Sequence, residues 1–429
     1  MPSLPNLQIN REYLSGFISV GVIQGGFMFF NYLARLILAN HLEPDDYGRI
    51  SYYLSLINFF VIVVLLGRSS FISRELIRLS VSGKFNHVRK LLKNDVLKVA
   101  AAWLAASLLL FAAVQTRLVN FETNTFLLLS AIVLFIALGT YRQGIQRAFG
   151  QIRISQIPEK TAYSILYISA LSAALFIFDL DLTVLQILGI IAASHLLAQV
   201  LGYVLFKILP LTIPRHSHDS VFKKHPGSAV LYLISVLDIL DSNLDYYMLE
   251  YFSGYESLAV YSVSKQLSLL TFTVIYVSSF VIGPQISKLF YSNKIKELQA
   301  SLQKTVRLNM ILATAVTVVL LALKDPLLQL FGTYYAMETG FTLYGTLLAA
   351  QWLNVSLGIP AQVLSSTGHE KYVLYVLAGT VLLQLSAGYF VITNFGVSGM
   401  AALFLIASLL LNIVLHLIVS KKLNIRLLG

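Results

Sequence analysis

The sequence predicts an all-α membrane protein of about twelve transmembrane helices, and three observations carry that reading. Of 429 residues, 57% are hydrophobic and only 12% are charged, about half the charged share of an ordinary soluble domain. Mean hydropathy is +0.75, and the apolar excess runs the length of the chain instead of marking one core. Lys and Arg gather in every second inter-span segment, as they do where cytoplasmic loops alternate with outer ones.

The elements follow in order. The polar stretch 1–11 lacks the basic region and small-residue cleavage site of a removable signal, so the first apolar run is expected to be a retained span. A spanning helix needs roughly 20 mostly apolar residues. Runs of that kind lie at 14–39, 48–67, 96–114, 124–141, 160–178 and 183–206, then at 229–252, 259–282, 306–323, 339–364, 371–393 and 396–418. Lipid offers no hydrogen-bond partners and the runs are too long for barrel strands, so helices are expected.

Charge checks the count. With the N-terminus inside, 26 of the 31 Lys and Arg fall in inner segments and three, Arg49, Arg117 and Lys324, in outer ones. Arg35 and Lys265 lie within spans. A miscounted span would scramble this alternation, yet it stays in phase to the C-terminus. The expectation is a multi-pass protein of the bacterial inner (cytoplasmic) membrane with both termini cytoplasmic. Outer loops are short and carry Glu43, Asp45, Asp46, Asp179 and Asp181. The inner segment 68–95 sets Phe71, Ile72, Leu76 and Leu79 against Arg74, Glu75 and Arg78, a pattern suited to a helix lying in the interface. Net charge is +11, which the alternation explains through topology, without a nucleic-acid partner.

Six spans in each half would enter the membrane with the same orientation, permitting a parallel repeat. At an offset of 212, Asn31-Tyr-Leu-Ala-Arg35 faces Asn243-Leu-Asp-Tyr-Tyr247, and both precede a short acidic turn. The expected organisation is an N-terminal six-helix lobe at 1–207, a cytoplasmic linker at 208–228 holding Pro210, Pro214 and Pro226, and a C-terminal six-helix lobe at 229–429.

An ionisable group at mid-membrane costs about 2.5–3.5 kcal/mol on insertion scales and calls for a reason. Asp238, Asp241 and Asp245 stand at i, i+3 and i+7 on the seventh span, on one helical face. They are candidates to bind hydroxyls or to take up H+ or Na+ as a coupling ion. Arg35 and Lys265 are candidates to hold a phosphate group; alternatively they pair with Asp241 or Asp245 and tie the halves together. Arg142 and Arg147, near the inner end of the fourth span, could receive phosphate from the cytoplasm or serve as positive-inside anchors. Asn31 and Asn243 could bind substrate or bridge helices. Tyr246, Tyr247 and His195 read as packing residues, and Gly25-Gly26 as a close-approach point. His216, His218 and His225 are too loosely spaced for a metal site.

The motifs also carry a resemblance. Ala34-Arg35-Leu36, Leu42-Glu-Pro-Asp-Asp-Tyr-Gly48 and Gly67-Arg-Ser-Ser-Phe-Ile-Ser-Arg-Glu-Leu-Ile77 resemble the opening of Wzx-type polysaccharide-biosynthesis flippases. These belong to the multidrug/oligosaccharidyl-lipid/polysaccharide (MOP) exporter superfamily. Tyr255-Glu-Ser-Leu-Ala-Val-Tyr-Ser262, Gly283-Pro-Gln-Ile-Ser287, Ser366-Thr-Gly-His-Glu-Lys371 and Asn394-Phe-Gly-Val-Ser-Gly-Met-Ala401 extend the likeness over nearly the whole chain, although Val260 stands where a glycine is expected. The resemblance implies two MATE-like lobes about a central cavity, working by alternating access. It implies flipping of an undecaprenyl-pyrophosphate-linked oligosaccharide for O-antigen or lipopolysaccharide biosynthesis, beside membrane lipids and polysaccharide polymerase or assembly proteins; since one chain suffices for the cavity, a monomer is expected.

Competing classes stay open on the sequence alone. A cation-coupled multidrug or metabolite exporter of the same superfamily would share the fold and the acidic ion site, with a soluble organic cation as cargo. An enzyme is disfavoured because the outer loops are too short for a catalytic surface. The chain has no cysteine, which excludes disulfides and thiolate sites. The absence of a P-loop argues against ATP hydrolysis, and no cofactor is expected.

Overall fold

The architecture comes from a computed structural model that describes residues 11–68, 71–72, 75–76, 85–116, 122–149, 151–208, 228–338 and 340–427. Among the described residues there are helices and turns and no strand. In the first half the chain forms α1 (Arg11–His41), α2 (Pro44–Leu65), α3 (Phe85–Gln115), α4 (Thr123–Ala148), α5 (152–177) and α6 (Val184–Ile208). In the second half it forms α7 (Ser228–Ser268), α8 (Thr273–Tyr291), α9 (Ile295–Ala322), the short α10 (Lys324–Leu330) and α11 (Thr333–Glu338), α12 (Phe341–Ser356), α13 (Pro360–Ser366) and α14 (Glu370–Leu423).

Nine helices among the described residues are long and apolar enough to cross a membrane. The helices α7 and α14 each cover more than one expected span. In both, one glycine takes a backbone conformation closed to other residues: Gly254 (φ 79°, ψ 176°) and Gly396 (φ 59°, ψ −146°). A straight helix would put Asp245 and Tyr261 about 24 Å apart, yet their side chains hydrogen-bond at 2.6 Å. The chain therefore reverses at Gly254. A side chain on Gly388 would touch Leu403, which requires the same reversal at Gly396. With α7 and α14 each divided at its glycine, and the second arm of α7 continuing through α8, the twelve expected passes are accounted for. The protein is a multi-pass, all-α membrane protein.

The contacts divide the chain into two units, one of residues 1–35 and 60–224, the other of 36–59 and 225–429. In the first, α4 packs on α6 and α3, and α5 packs on α6. In the second, α7 packs on α14, and α12 packs on α14, α9 and α7. Ile282, Ile286, Leu298, Leu302, Val363, Leu377 and Leu415 form a buried hydrophobic core in this unit. Residues 36–59 join it through specific bonds. Ser51 and Ser262 share a hydrogen bond at 3.2 Å, and the Tyr247 hydroxyl donates to the Ser55 carbonyl.

Several expectations fall outside the described residues: the linker 208–228 for nearly all its length, the three histidines at 216, 218 and 225, and most of the interfacial segment, including Arg74, Arg78 and Leu79. Gly25 and Gly26 do not mark a close approach, since a side chain at either would meet nothing within 4 Å.

Candidate functional site

The acidic face expected on the seventh span forms on the first arm of α7, but its three carboxylates have different surroundings. Asp245 is fully buried. Its Oδ2 accepts from the Tyr261 hydroxyl (2.6 Å) and from the Lys265 ammonium (2.5 Å), and its Oδ1 from the Tyr246 backbone N–H (2.9 Å). Lys265 also donates to the Ser242 carbonyl at 2.7 Å. Tyr261 and Lys265 come from the second arm of α7, so the reversal at Gly254 builds this pair.

One turn earlier, Asp241 is half-buried and accepts from the Thr380 hydroxyl (2.9 Å) and the Gln384 amide (2.8 Å), both on α14. One further turn back, Asp238 is exposed and has no hydrogen-bond partner among the described residues. The three therefore form a graded series from sealed to open. Three carboxylates against one ammonium leave the cluster net negative.

A second polar cluster lies within the first unit. Pro158 has no N–H to give to the helical ladder, and α5 passes through a π-helical turn at Ile157–Ala162. Such turns re-aim side chains. Here Glu159 forms an ion pair with Arg142 of α4 and also accepts from Gln143 (3.2 Å) and Gln199 (3.3 Å). Gly139 and Gly202 make the room, since a Cβ at either would overlap the paired side chains. The next residue, Lys160, bonds the Gln24 side chain and lies over the Phe27 ring. His195 stacks on Tyr163 with ring centroids 3.8 Å apart. Its packing role is as expected, but its buried Nδ1 has no partner among the described residues.

The sequence candidates are thus distributed as follows. Asp238, Asp241, Asp245 and Lys265 come together in one cluster of the second unit. The Lys265 ion pair lies within that unit and does not tie two halves together. Arg142 sits with Glu159 in the first unit, where Arg35 is half-buried. Among the described residues, Asn31 and Asn243 bridge no two helices with their amide nitrogens. Each donates at 2.8 Å to the carbonyl four residues back in its own helix, Phe27 and Ile239. Tyr246 and Tyr247 pack edge-on against Tyr261 and Tyr52.

Sequence reasoning missed Thr380, Gln384, Tyr261 and Glu159. Gln384 had a signal, an amide in the middle of an apolar run. Glu159 lay one residue outside the expected fifth span, and nothing local marked it.

Comparison with known proteins bears on the same cluster. The MatE family model matches residues 232–390, the stretch that holds Asp238, Asp241, Asp245, Lys265, Thr380 and Gln384. No curated protein matches the sequence. An inward-facing multidrug resistance MATE family transporter of the MOP superfamily superposes with a TM-score of 0.71 at 13% identity, covering 92% of this chain and 94% of the other. The MATE multidrug transporter DinF-BH, solved as a complex, gives 0.68 at 16% identity over 100% and 99%. A MOP superfamily transporter from Pyrococcus furiosus, described as having a binding pocket of reversed polarity, gives 0.67 at 13% over 95% of each.

These findings correct the flippase expectation. The family model that matches is MatE and two of these three structures are those of MATE multidrug transporters, so the resemblance to Wzx-type flippases does not hold. The lipid-linked oligosaccharide, the O-antigen and lipopolysaccharide role and the polysaccharide-assembly partners fall with it. The geometry gives a physical reason. A pyrophosphate needs cations whose charge is available, and two of the basic candidates, Lys265 and Arg142, are each neutralised by a buried carboxylate. The opening motifs misled because they are turn chemistry between helices, which reports how the chain folds and not what it carries. The chain has the all-α, two-lobe fold of these transporters.

Proposed function

We propose that the protein is a MATE-type, cation-coupled exporter of soluble organic cations, drugs or metabolites. The observation that carries this reading is the graded, net-negative carboxylate series on α7. Asp241 is held by neutral donors alone and Asp238 stands open. A carboxylate with neutral donors can exchange H+ or Na+ without first breaking an ion pair. Competition between such an ion and a cationic cargo for one acidic face couples the two, because occupancy by one charge disfavours the other. Exchange of one entering ion for one singly charged cargo moves no net charge, so the ion's concentration gradient drives that cycle; a second entering ion adds about 2.3 kcal/mol per 100 mV. The distribution of Lys and Arg supports placement in the inner membrane with both termini cytoplasmic.

The test is uptake of a cationic dye into everted membrane vesicles carrying the protein, with an imposed pH or sodium gradient that is acid or sodium-rich in the lumen. Asp241→Asn keeps the shape and loses the charge. It is expected to abolish gradient-driven dye movement while the protein is made at the normal level. Undiminished movement in Asp241→Asn and in Asp238→Asn would overturn the proposal.

A further inference from the structure

The surroundings of the Lys265 ammonium are those of a cation-binding site. Its Nζ is 2.5 Å from the Asp245 carboxylate and 2.7 Å from the Ser242 carbonyl oxygen. Three aromatic faces wall the rest: Phe404 at 4.8 Å, Tyr246 at 4.9 Å and Tyr261 at 5.8 Å from the ring centroids. A carboxylate, a backbone carbonyl and aromatic π-faces are groups that stabilise a bare positive charge. The pocket is sealed, with the Lys side chain 5% exposed and Asp245 not at all. Tyr261 and the Tyr246 N–H hold the carboxylate in place, so the oxygen that meets the ammonium is positioned independently of it.

We propose that Lys265 is a tethered cation occupying an alkali-cation site built by Asp245, the Ser242 carbonyl and the Tyr246, Tyr261 and Phe404 rings. The charge the site requires is supplied from within the chain. Free Na+ or K+ is excluded there, because an ammonium on its own side chain competes at a very high effective concentration. Asp245 is thereby withdrawn from exchange, and only Asp241 and Asp238 remain open to ions from solution. Lys265 is on this account a positioning and specificity residue that never meets the cargo. The inference does not depend on what the protein carries.

Removing the ammonium should open the site. Lys265→Ala deletes the charge and leaves room beside Asp245 for an ion and a water. The purified full-length protein in detergent is heated in NaCl, KCl, methylammonium chloride or the bulky N-methyl-D-glucamine chloride, at constant ionic strength. The native midpoint is expected to differ among the four salts only by what Asp241 and Asp238 bind, and the response of Lys265→Ala is read in excess of it. Lys265→Ala should melt lower than the native protein in N-methyl-D-glucamine. It should rise by several degrees, saturably, with at least one of the small cations. Lys265→Ala combined with Asp245→Asn should lose that rise. Where the alanine variant is not recovered, Lys265→Ser serves, with the same response expected. No small-cation response in the variant that is recovered would overturn the proposal. So would a response that survives Asp245→Asn, or a native protein that already responds to Na+ or K+ through Asp245. Because the readout is stability in detergent, it stands or falls separately from dye transport.

Discussion

The Arg142–Glu159 pair lends itself to a double-mutant cycle with a worked magnitude. Both side chains are about nine-tenths buried, and Glu159 also accepts from Gln143 and Gln199. Removing one member of a buried pair typically costs 3–5 kcal/mol, since the other charge is left uncompensated. Glu159→Gln leaves an amide oxygen that can still accept from the guanidinium, so its cost should lie near about 3 kcal/mol. Arg142→Met strips the ion partner but leaves two amide donors on the carboxylate, and should also cost about 3 kcal/mol. The double variant buries no charge, and replacements of that kind are often close to neutral. Its expected cost is within about 2 kcal/mol of the native protein, a coupling energy of roughly 4 kcal/mol, larger than most contacting pairs show. Reversible unfolding by SDS in mixed micelles measures all four proteins. If the two single costs simply add in the double variant, the side chains do not stabilise one another and the reasoning fails. If Arg142→Met alone is neutral, Arg142 is not structurally engaged, and its release for an anion would have to be reconsidered.

Other expectations are simpler to check. Gly254→Ala and Gly396→Ala force a side chain into glycine-only backbone regions with open space around the Cβ; each should cost about 1–3 kcal/mol, purely conformational, in the same SDS titration. Gly202→Ala would place a methyl group on the Arg142 guanidinium and should cost about 1–3 kcal/mol; a neutral result would mean that the guanidinium lies elsewhere. Gln384→Leu removes one of the two side-chain donors to Asp241 and should cut gradient-driven dye uptake several-fold with little change in protein level, whereas Gln384→Glu, which sets a second carboxylate against Asp241, should cut it further.

The resemblance on which the flippase expectation rested illustrates a general hazard. Its motifs were Leu42-Glu-Pro-Asp-Asp-Tyr-Gly48, Ser366-Thr-Gly-His-Glu-Lys371 and their like, which in the structure end helices and turn the chain. Gly368, for example, is a left-handed residue (φ 81°) between α13 and α14. Motifs of that kind report a fold. Cargo is decided by charges facing each other across helices, and the proposal of a cationic cargo rests there, on the three carboxylates of α7.

By itself the sequence determined the helical class, the number of passes and the face that the three aspartates share. Each of these is a local sum: about 20 apolar residues make a span, and 3.6 residues per turn put positions 238, 241 and 245 on one side. The reversal at Gly254 fell in a short, expected outer turn, and that at Gly396 at the first residue of an expected span. Tertiary structure alone decided which charge answers which. Lys265 lies 20 residues from Asp245 and reaches it because the helix doubles back, while Thr380 and Gln384 reach Asp241 from 139 and 143 residues away. Glu159 meets Arg142 through a π-turn that no periodicity foretold. Hydropathy is additive along the chain and can be read there; the partner of a buried charge is set by contact between helices, and contact exists only once they are packed.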